Sequence, residues 1–238
     1  MLALIDADLI GYRIAFACKD ESLSTAKNTL SNYIGDILTC FVDKTFDGCF
    51  VDEWKLFLTG KNNYRQDVAV TAVYKGNRPS VKPPHLQDLR SFMVGAWGAV
   101  VVDGQEADDA IAIEATENRD RSIIVSLDKD LDQVAGWHFN FVKNVGYYID
   151  EQQGIKNFYK QILTGDAADN IIGLSGIGPV KSEALLKDCT TEKEMYEACI
   201  KAYDGNEQRV VENATLLWLR RQPNQKWEPP NELSKTNG

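Results

Sequence analysis

The spacing of apolar residues predicts strands that alternate with helices before residue 165. Short apolar runs predict strands at 2–5, 54–58, 99–102 and 122–126, and helical spacing predicts helices at 24–41, 86–97, 106–116 and 155–163. A hairpin is predicted from strands at 139–142 and 147–149, which would turn at Asn144-Val145-Gly146. This alternation is typical of an α/β fold whose parallel sheet is flanked by helices.

The pattern changes after Gly165 and predicts a helical segment without long strands. Residues 173–178 form a glycine-rich turn, and Pro179 opens a predicted helix that continues through Lys187. Further helices are predicted at 192–203 and 208–220. The residues from Pro223 onwards are polar and rich in proline, so a loose tail is predicted there.

Composition excludes several classes of protein. The chain has 238 residues, of which 44% are hydrophobic, and no apolar run approaches the roughly 20 residues that a membrane span needs. The first residues carry no basic flank, so a signal peptide is not expected either. Five scattered cysteines without a Cys-x-x-Cys pair predict neither a disulfide framework nor a zinc site, which fits a reducing cytoplasm.

Acidic residues are concentrated in a few short motifs. The net charge of −9 alone argues against a nucleic-acid partner, because phosphate binding depends on basic patches. Without the eight acids of these motifs, however, the net charge would be close to zero. The eight acids are Asp6, Glu106, Asp108, Asp109, Asp128, Asp130, Asp166 and Asp169. A surplus of acidic residues that is confined to a few clusters is typical of a metal-binding protein.

The positions of these acids predict that they meet. Asp6, Glu106 and Asp128 each follow a predicted strand, and ligands gather at the carboxyl ends of parallel strands. Asp166 and Asp169 are predicted to lie one helical turn apart. Two such charges at about 4 Å repel by roughly 4 kcal/mol at an effective dielectric of 20, so a counter-charge is needed. Divalent cations supply it, and a pair of them can hydrolyse a phosphodiester.

Five motifs in a fixed order resemble the 5′-nuclease superfamily, which includes flap endonucleases, the 5′-nuclease domain of bacterial DNA polymerase I and phage exonucleases. They extend from residue 2 to about residue 187. They are Leu4-Ile5-Asp6, Tyr74-Lys75-Gly76-Asn77-Arg78, Glu106-Ala107-Asp108-Asp109, Ser126-Leu127-Asp128-Lys129-Asp130, and Gly165-Asp166-Ala167-Ala168-Asp169-Asn170 followed by Gly173-Leu174-Ser175-Gly176-Ile177-Gly178.

The resemblance implies a PIN-like nuclease domain at 1–164, with an arch at about 60–92, followed by a helix-hairpin-helix segment and helices at 165–238. It implies two Mg²⁺ ions, for which Mn²⁺ could substitute. One ion would be held by Asp6, Glu106, Asp108 and Asp128, and the other would lie near Asp128, Asp130, Asp166 and Asp169. Asp109 would act through a bound water. Lys75 and Arg78 would hold the scissile phosphate, completing a catalytic set with Asp128.

The glycine-rich turn predicts a contact with the DNA backbone. Glycines let backbone N–H groups approach a phosphate, and the helix N-terminus behind them favours an anion. Gly176, Gly178 and Lys181 are the expected DNA-binding residues. The resemblance also implies a monovalent cation, K⁺, at this turn, for which Ser175 and Ile177 are the expected ligands.

One position departs from the family pattern. The second strand runs into Thr59, where the family usually has an aspartate, and no acid follows until Asp67. We therefore expect cation binding to be weakened or rearranged on that side of the site, with activity retained by the other acids.

The predicted function is a 5′→3′ exonuclease or flap endonuclease that acts as a monomer on DNA with 5′ ends, nicks or flaps. The small size suggests a phage enzyme in the cytoplasm of an infected bacterium. Three alternatives remain open. They are a PIN-type nuclease for RNA or an RNA–DNA hybrid, a haloacid-dehalogenase-type phosphatase with Asp6 as nucleophile, and a DNA-binding accessory protein whose site is inactive.

Overall fold

A six-stranded sheet forms the centre of the molecule, which is described by a computed structural model over residues 1–41 and 44–230. The strand order is β5-β4-β1-β6-β7-β8, and every neighbouring pair is parallel except β7 and β8. The strands are β1 (Leu2–Asp6), β4 (Glu53–Thr59), β5 (Val100–Val102), β6 (Ser122–Val125), β7 (Gly136–Asn140) and β8 (Val145–Ile149). The predicted α/β class with a mostly parallel, helix-flanked sheet is confirmed.

Helices cover both faces of this sheet. The helices are α1 (Ala7–Ala17), α2 (Leu23–Thr39), α3 (Arg65–Val68), α4 (Leu86–Trp97), α5 (Ala107–Glu117), α6 (Glu151–Thr164), α7 (Pro179–Leu186), α8 (Glu192–Ala202) and α9 (Glu207–Leu217). On one face, α1, α2 and α4 pack against apolar side chains of β1 and β4 such as Ile5 and Leu56. On the other face, α5 packs against Leu4 and Phe57. The alternation of β1 side chains thus divides the core into two layers.

A third apolar cluster lies among α6, α7, α8 and α9. It is built on Phe158, Tyr159, Leu186, Tyr196 and Leu217, all of which are buried. We call α6 to α9 the C-terminal helical unit. Because α6 belongs to it, this unit begins before residue 164. The proposed domain boundary at 164 remains a prediction.

Two short antiparallel pairs complete the described structure. They are β2 (Thr45–Phe46) with β3 (Cys49–Phe50), and β9 (Gly165–Asp166) with β10 (Ile171–Ile172). Gly165 and Gly173 allow a close approach here, since a Cβ on Gly165 would lie 2.3 Å from the backbone nitrogen of Gly173. Residues 167–170, between β9 and β10, form a tight turn. The prediction of a helical turn for Asp166 and Asp169 was therefore wrong.

Several sequence predictions need correction. Helix α1 was missed because apolar residues surround it: Ile10 and Ile14 face the core, while Phe16 is 61% exposed. The β2–β3 hairpin was also missed. The predicted hairpin exists, but its turn lies at 141–144, where Asn140 Oδ1 accepts backbone hydrogen bonds from Val142 and Lys143.

The C-terminal predictions also need correction. The last helix ends at Leu217 instead of Arg220, and the residues after it leave the helical path: the backbone N–H groups of Leu219 and Arg220 donate to the side chains of Gln133 and Asp109. The predicted loose tail is not loose as far as residue 230, because Trp227 is buried against Phe158 and Tyr196. Residues 231–238 of that tail lie outside the described part of the chain. Within the described ranges, every helix is too short or too polar to cross a bilayer.

Candidate active site

Four chain segments bring carboxylates to the carboxyl edge of the sheet. The seven acids that meet there are Asp6 at the end of β1, Glu106 and Asp108 at the start of α5, Asp128 and Asp130 after β6, and Asp166 and Asp169 in the β9–β10 turn. Most of them line a cavity of about 420 Å³. An adjoining cleft of about 1300 Å³ reaches Asp6 and shares Lys75, Arg78, Glu106, Asp108 and Asp128 with it. Acids that are far apart in sequence therefore share one site.

Local hydrogen bonds explain why these segments place their acids here. Asp6 caps α1, since one of its oxygens accepts the backbone N–H of Leu9 at 3.2 Å. Its other oxygen accepts the Ser126 hydroxyl at 3.0 Å. Asp128 caps the short 3-10 helix Lys129–Gln133 by accepting the N–H of Asp130 at 2.9 Å. Asp130 thus belongs to this helical turn.

The acids raise one another's pKa values. Burial raises the pKa of Asp6 to about 7, helped by the charges of Asp8 and Asp128. Burial also raises the pKa of Asp130 to about 8, with Asp128 and Asp166 adding to the effect. The pKa values of Asp108 and Asp128 are raised for the same reasons, burial first. A set of buried carboxylates that resist ionisation is suited to a cation of high charge.

Lys75 and Arg78 lie inside this acidic cluster. The Lys75 ammonium group forms an ion pair with Glu106 and lies 3.5 Å from Asp169. Arg78 donates from Nη2 to Asp169 Oδ1 at 2.6 Å. The backbone of Lys75 has a φ of 55°, a conformation uncommon outside glycine, and its N–H donates to the carbonyl of Asp169 at 2.8 Å. The backbone of Lys75 and the side chains of Lys75 and Arg78 thus hold this pair of basic residues at the acids.

Divalent cations fit the chemistry of this donor set, but the side chains are not arranged around one point. Oxygen atoms of carboxylates are the ligands that Mg²⁺ and Mn²⁺ prefer. Within residues 1–41 and 44–230, no group of three or more His, Cys, Asp or Glu side chains has the geometry of a ready metal site. Glu106 and Asp169 are instead engaged in ion pairs with Lys75 and Arg78.

Asp109 is the one predicted metal residue that does not join the cluster. It is fully buried, and both of its oxygens accept hydrogen bonds from Arg65, at 2.6 and 2.9 Å. It also accepts the backbone N–H groups of Glu106 and Arg220. Asp109 therefore caps the start of α5 and links this helix to the segment after α9. It lines neither cavity.

The residues of the glycine-rich turn lie apart from the acids. Gly176, Gly178 and Lys181 are exposed at the turn and first residues of α7, and neither cavity includes them. The carbonyl of Leu174 accepts the N–H of Ile177 at 3.1 Å, which closes the turn. The expected roles of these residues and of Ser175 remain predictions.

Sequence reasoning missed several residues that shape the site. The Tyr74 hydroxyl lies 2.6 Å from Asp169 and 3.1 Å from Glu106, and burial raises its pKa. Asn63 donates to Glu106 at 2.7 Å. Tyr74 could have been noticed because it precedes Lys75 in the basic motif. Asn63 and the buried Arg65 carry no signal in the sequence, since their partners are distant along the chain.

Comparisons with known proteins agree with this geometry. No protein-family model matches the chain. DNA polymerase I of Pseudomonas aeruginosa is 31% identical over 210 residues, which cover 78% of this chain and 22% of that protein. DNA polymerase I of Deinococcus radiodurans is 33% identical over 141 residues, which cover 52% of this chain and 15% of that protein. The chain therefore spans less than a quarter of the length of these relatives.

Two solved structures with the same fold are distant from this chain in sequence. The T5 D15 protein crystallised with metal ions has a TM-score of 0.69 at 16% identity, and the match covers 91% of this chain and 88% of that one. The catalytic core of Rad2 in complex with DNA has a TM-score of 0.52 at 17% identity, covering 89% of this chain and 72% of that one. The resemblance of this chain to the 5′-nuclease superfamily is thus confirmed, in its fold by the solved structures and in part of its sequence by the polymerases.

Proposed function

We propose that this protein is a metal-dependent nuclease that hydrolyses DNA phosphodiesters near 5′ ends, nicks or flaps. The observation that carries the proposal is the convergence of seven acids and two bases at the carboxyl edge of a nuclease-like sheet. The fold is shared with a T5 5′-exonuclease structure described as holding zinc ions and with the T5 D15 flap endonuclease described in complex with DNA and metal ions. The products would carry a 5′-phosphate and a 3′-hydroxyl.

Two groups of carboxylates would hold the cations, Mg²⁺ or Mn²⁺. Asp6, Glu106, Asp108 and Asp128 form the first group, and Asp128, Asp130, Asp166 and Asp169 form the second. When bound, a pair of divalent cations activates water and stabilises the leaving oxygen of a phosphodiester. Asp109 stays outside both groups as the buried partner of Arg65.

Lys75 and Arg78 would bind the scissile phosphate. Their present carboxylate partners are the same oxygens that the cations would take, so cation binding frees both bases for the phosphate. Arginine and lysine next to a developing negative charge lower its energy in the transition state. This exchange of partners explains why bases and acids occupy one cluster.

The rest of the chain would hold the DNA on both sides of the cut. We propose that Gly176, Gly178 and Lys181 bind the duplex backbone, with K⁺ held at the turn by Ser175 and Ile177. This assigns 1–164 to the catalytic domain, with the arch at about 60–92, and 165–238 to DNA binding. The protein would act as a monomer in the cytoplasm, and a phage origin is consistent with the T5 neighbours.

The phosphatase alternative is disfavoured by the surroundings of Asp6. A haloacid-dehalogenase-type enzyme would use Asp6 as its nucleophile. Both oxygens of Asp6 already accept hydrogen bonds, from Leu9 and Ser126, and its pKa is raised to about 7. Asp128, whose charge acts on Asp6, shares its cavity with Asp166 and Asp169, for which a phosphatase of this type has no use, whereas a pair of cations would use all of these acids.

A digest of labelled nucleic acids tests the proposed function. With Mg²⁺ present, 5′-labelled and 3′-labelled duplex, nicked and flap DNA are compared with RNA and hybrid versions. Release of 5′-terminal products from DNA supports the proposal, whereas faster cleavage of RNA or of a small phosphomonoester contradicts it. The Asp128→Asn/Asp130→Asn variant should lose cleavage but keep DNA binding. Asp120→Asn/Asp188→Asn changes the charge equally at exposed positions and should retain both.

A further inference from the structure

Two side-chain amides form a relay that starts at Asp130 and leads into the interior. Gln161, on α6, donates from Nε2 to Asp130 Oδ1 at 2.5 Å. Gln133 in turn donates from its own Nε2 to Gln161 Oε1 at 3.0 Å. Gln133 is 4% exposed, so it has no access to water as an alternative partner. An acid of the candidate site is thereby joined to a buried amide.

The backbone after α9 fixes the far end of this relay. Gln133 Nε2 also donates to the carbonyl of Leu217 at 2.9 Å, and Gln133 Oε1 accepts the N–H of Leu219 at 3.2 Å. These two bonds become possible because α9 ends at Leu217 and the chain then extends. The C-terminal helical unit and the sheet layer meet at this buried glutamine.

The direction of every bond in the relay follows from these backbone groups. A backbone N–H can only donate and a carbonyl can only accept, whereas an amide side chain could face either way. Leu219 therefore holds the oxygen of Gln133, and Leu217 holds its nitrogen. Gln161 must then present its oxygen to Gln133 and its nitrogen to Asp130. Asp130 meets a hydrogen-bond donor whose orientation is set, through Gln133, by the backbone of Leu217 and Leu219.

We propose that Gln161 is a positioning residue for Asp130 and that the backbone at 217–219 sets its orientation through Gln133. The inference rests on the proposed function, in which Asp130 helps to hold a cation. Partners that orient a ligating carboxylate contribute strongly to metal affinity, with losses of about 10–100-fold when they are removed. The relay also makes the docking of the C-terminal helical unit part of the geometry of the site.

Calorimetric titration with Mn²⁺ tests this role directly, because it reports on the site without catalysis. Gln161→Met keeps the length of the side chain and removes the donor, so we expect Mn²⁺ affinity to fall by about tenfold. Gln153→Met is the matched control on the same helix, since Gln153 is exposed and its amide bonds only to Asn157. It should leave Mn²⁺ affinity unchanged.

A double-mutant cycle separates the relay from simple packing. Gln133→Met frees the amide of Gln161 and should also weaken Mn²⁺ binding. Because both residues act through the same carboxylate, Gln133→Met/Gln161→Met should lose no more affinity than Gln161→Met alone. Thermal unfolding of each variant identifies a temperature at which all of them remain folded for the titration. Additive losses of Mn²⁺ affinity would contradict the relay, as would the absence of any loss.

The titration also separates this proposal from the proposed function. If the unmodified protein binds Mn²⁺ and Gln161→Met binds it equally well, the relay is refuted while the nuclease assignment stands. If the unmodified protein binds no Mn²⁺ and fails to cut DNA, the proposed function is refuted and the relay has no role to play.

Discussion

Thr59 closes the N-terminus of the helix that carries the acidic motif: its hydroxyl oxygen accepts the backbone N–H of Ala107 at 2.9 Å. The same residue donates its own N–H to Asp8 at 2.7 Å, and Arg90 binds both the Asp8 carboxylate and the Thr59 carbonyl. At the position where the family usually has an acid, this chain therefore uses a neutral cap. Its partners are an acid and a base from neighbouring helices.

Replacing Thr59 with valine should destabilise the start of α5. The variant keeps the shape of the side chain but leaves the N–H of Ala107 without its partner, at a cost of about 1 kcal/mol in the free energy of unfolding. Urea unfolding measures this directly. Thr39→Val is a suitable comparison, because Thr39 is exposed and its hydroxyl donates only to the carbonyl of Gly35. Equal losses of unfolding free energy in Thr59→Val and Thr39→Val would contradict a capping role for Thr59.

Replacing Thr59 with aspartate should strengthen cation binding. The variant adds a carboxylate next to Asp8, in the cleft that Thr59 lines together with Asp6 and Asp108. We expect tighter Mn²⁺ binding by calorimetry and lower stability without Mn²⁺, because the new charge adds to the repulsion among the acids. Thr59→Asn has the same shape without the charge and should not tighten binding. If aspartate and asparagine behave alike, Thr59 does not face the cation site.

Stability without divalent cations should fall as the pH rises from about 5 to about 8. The pKa values of Asp6 and Asp130 are raised to about 7 and about 8, so the folded protein keeps protons there that the unfolded chain releases near pH 4. Folding is therefore penalised increasingly as the pH rises through this window. Acids with lowered pKa values, such as Glu183 at about 2, titrate below this window. His138, whose pKa is lowered by burial, opposes the trend below about pH 6.5, but four acids with raised pKa values act in the other direction.

Mn²⁺ should reverse this trend, since cations bind best to the deprotonated acids. Thermal unfolding at about pH 5 and about pH 8, with EDTA or with Mn²⁺, measures both effects. We expect the lowest Tm at the higher pH with EDTA, and the largest stabilisation by Mn²⁺ at that pH. A Tm that rises with pH in EDTA would contradict the raised pKa values.

Arg65 and Asp109 should behave as a buried structural pair. Arg65→Met leaves the Asp109 carboxylate buried without its partner, and the expected loss is about 3–5 kcal/mol of the free energy of unfolding. Arg65→Met/Asp109→Leu removes both charges and should recover part of this loss. Chemical unfolding of both single variants and the double variant measures the coupling. A double variant no more stable than the single variants would argue against the pairing.

The sequence could predict the acidic cluster because strand ends are visible as local patterns. Asp6, Glu106 and Asp128 follow apolar runs, and the topology of a parallel sheet brings such positions to one edge. Helix α1, which the sequence analysis missed, shows the limit of pattern reading, because apolar residues on both sides of a helix remove the periodic signal. Local patterns therefore specify the sheet better than the helices that surround its edge.

Contacts between distant residues were beyond sequence reasoning. Nothing near Asp109 indicates that Arg65 binds it, and nothing near Gln133 indicates that the backbone of Leu217 and Leu219 does. The buried Trp227 was misjudged because the surrounding proline-rich, polar residues resemble a tail. Each of these contacts depends on how the helical unit docks, which hydrophobic periodicity does not encode.

The central claim is that the acids of four segments form one site for divalent cations. Anomalous diffraction from a crystal grown with Mn²⁺ tests it most directly. We predict one manganese peak among the carboxylates of Asp6, Asp108 and Asp128 and a second among those of Asp130, Asp166 and Asp169. We also predict that Lys75 is released from Glu106. Intact Lys75–Glu106 and Arg78–Asp169 ion pairs with no manganese peak among the acids, at an Mn²⁺ concentration that supports cleavage, would contradict the account.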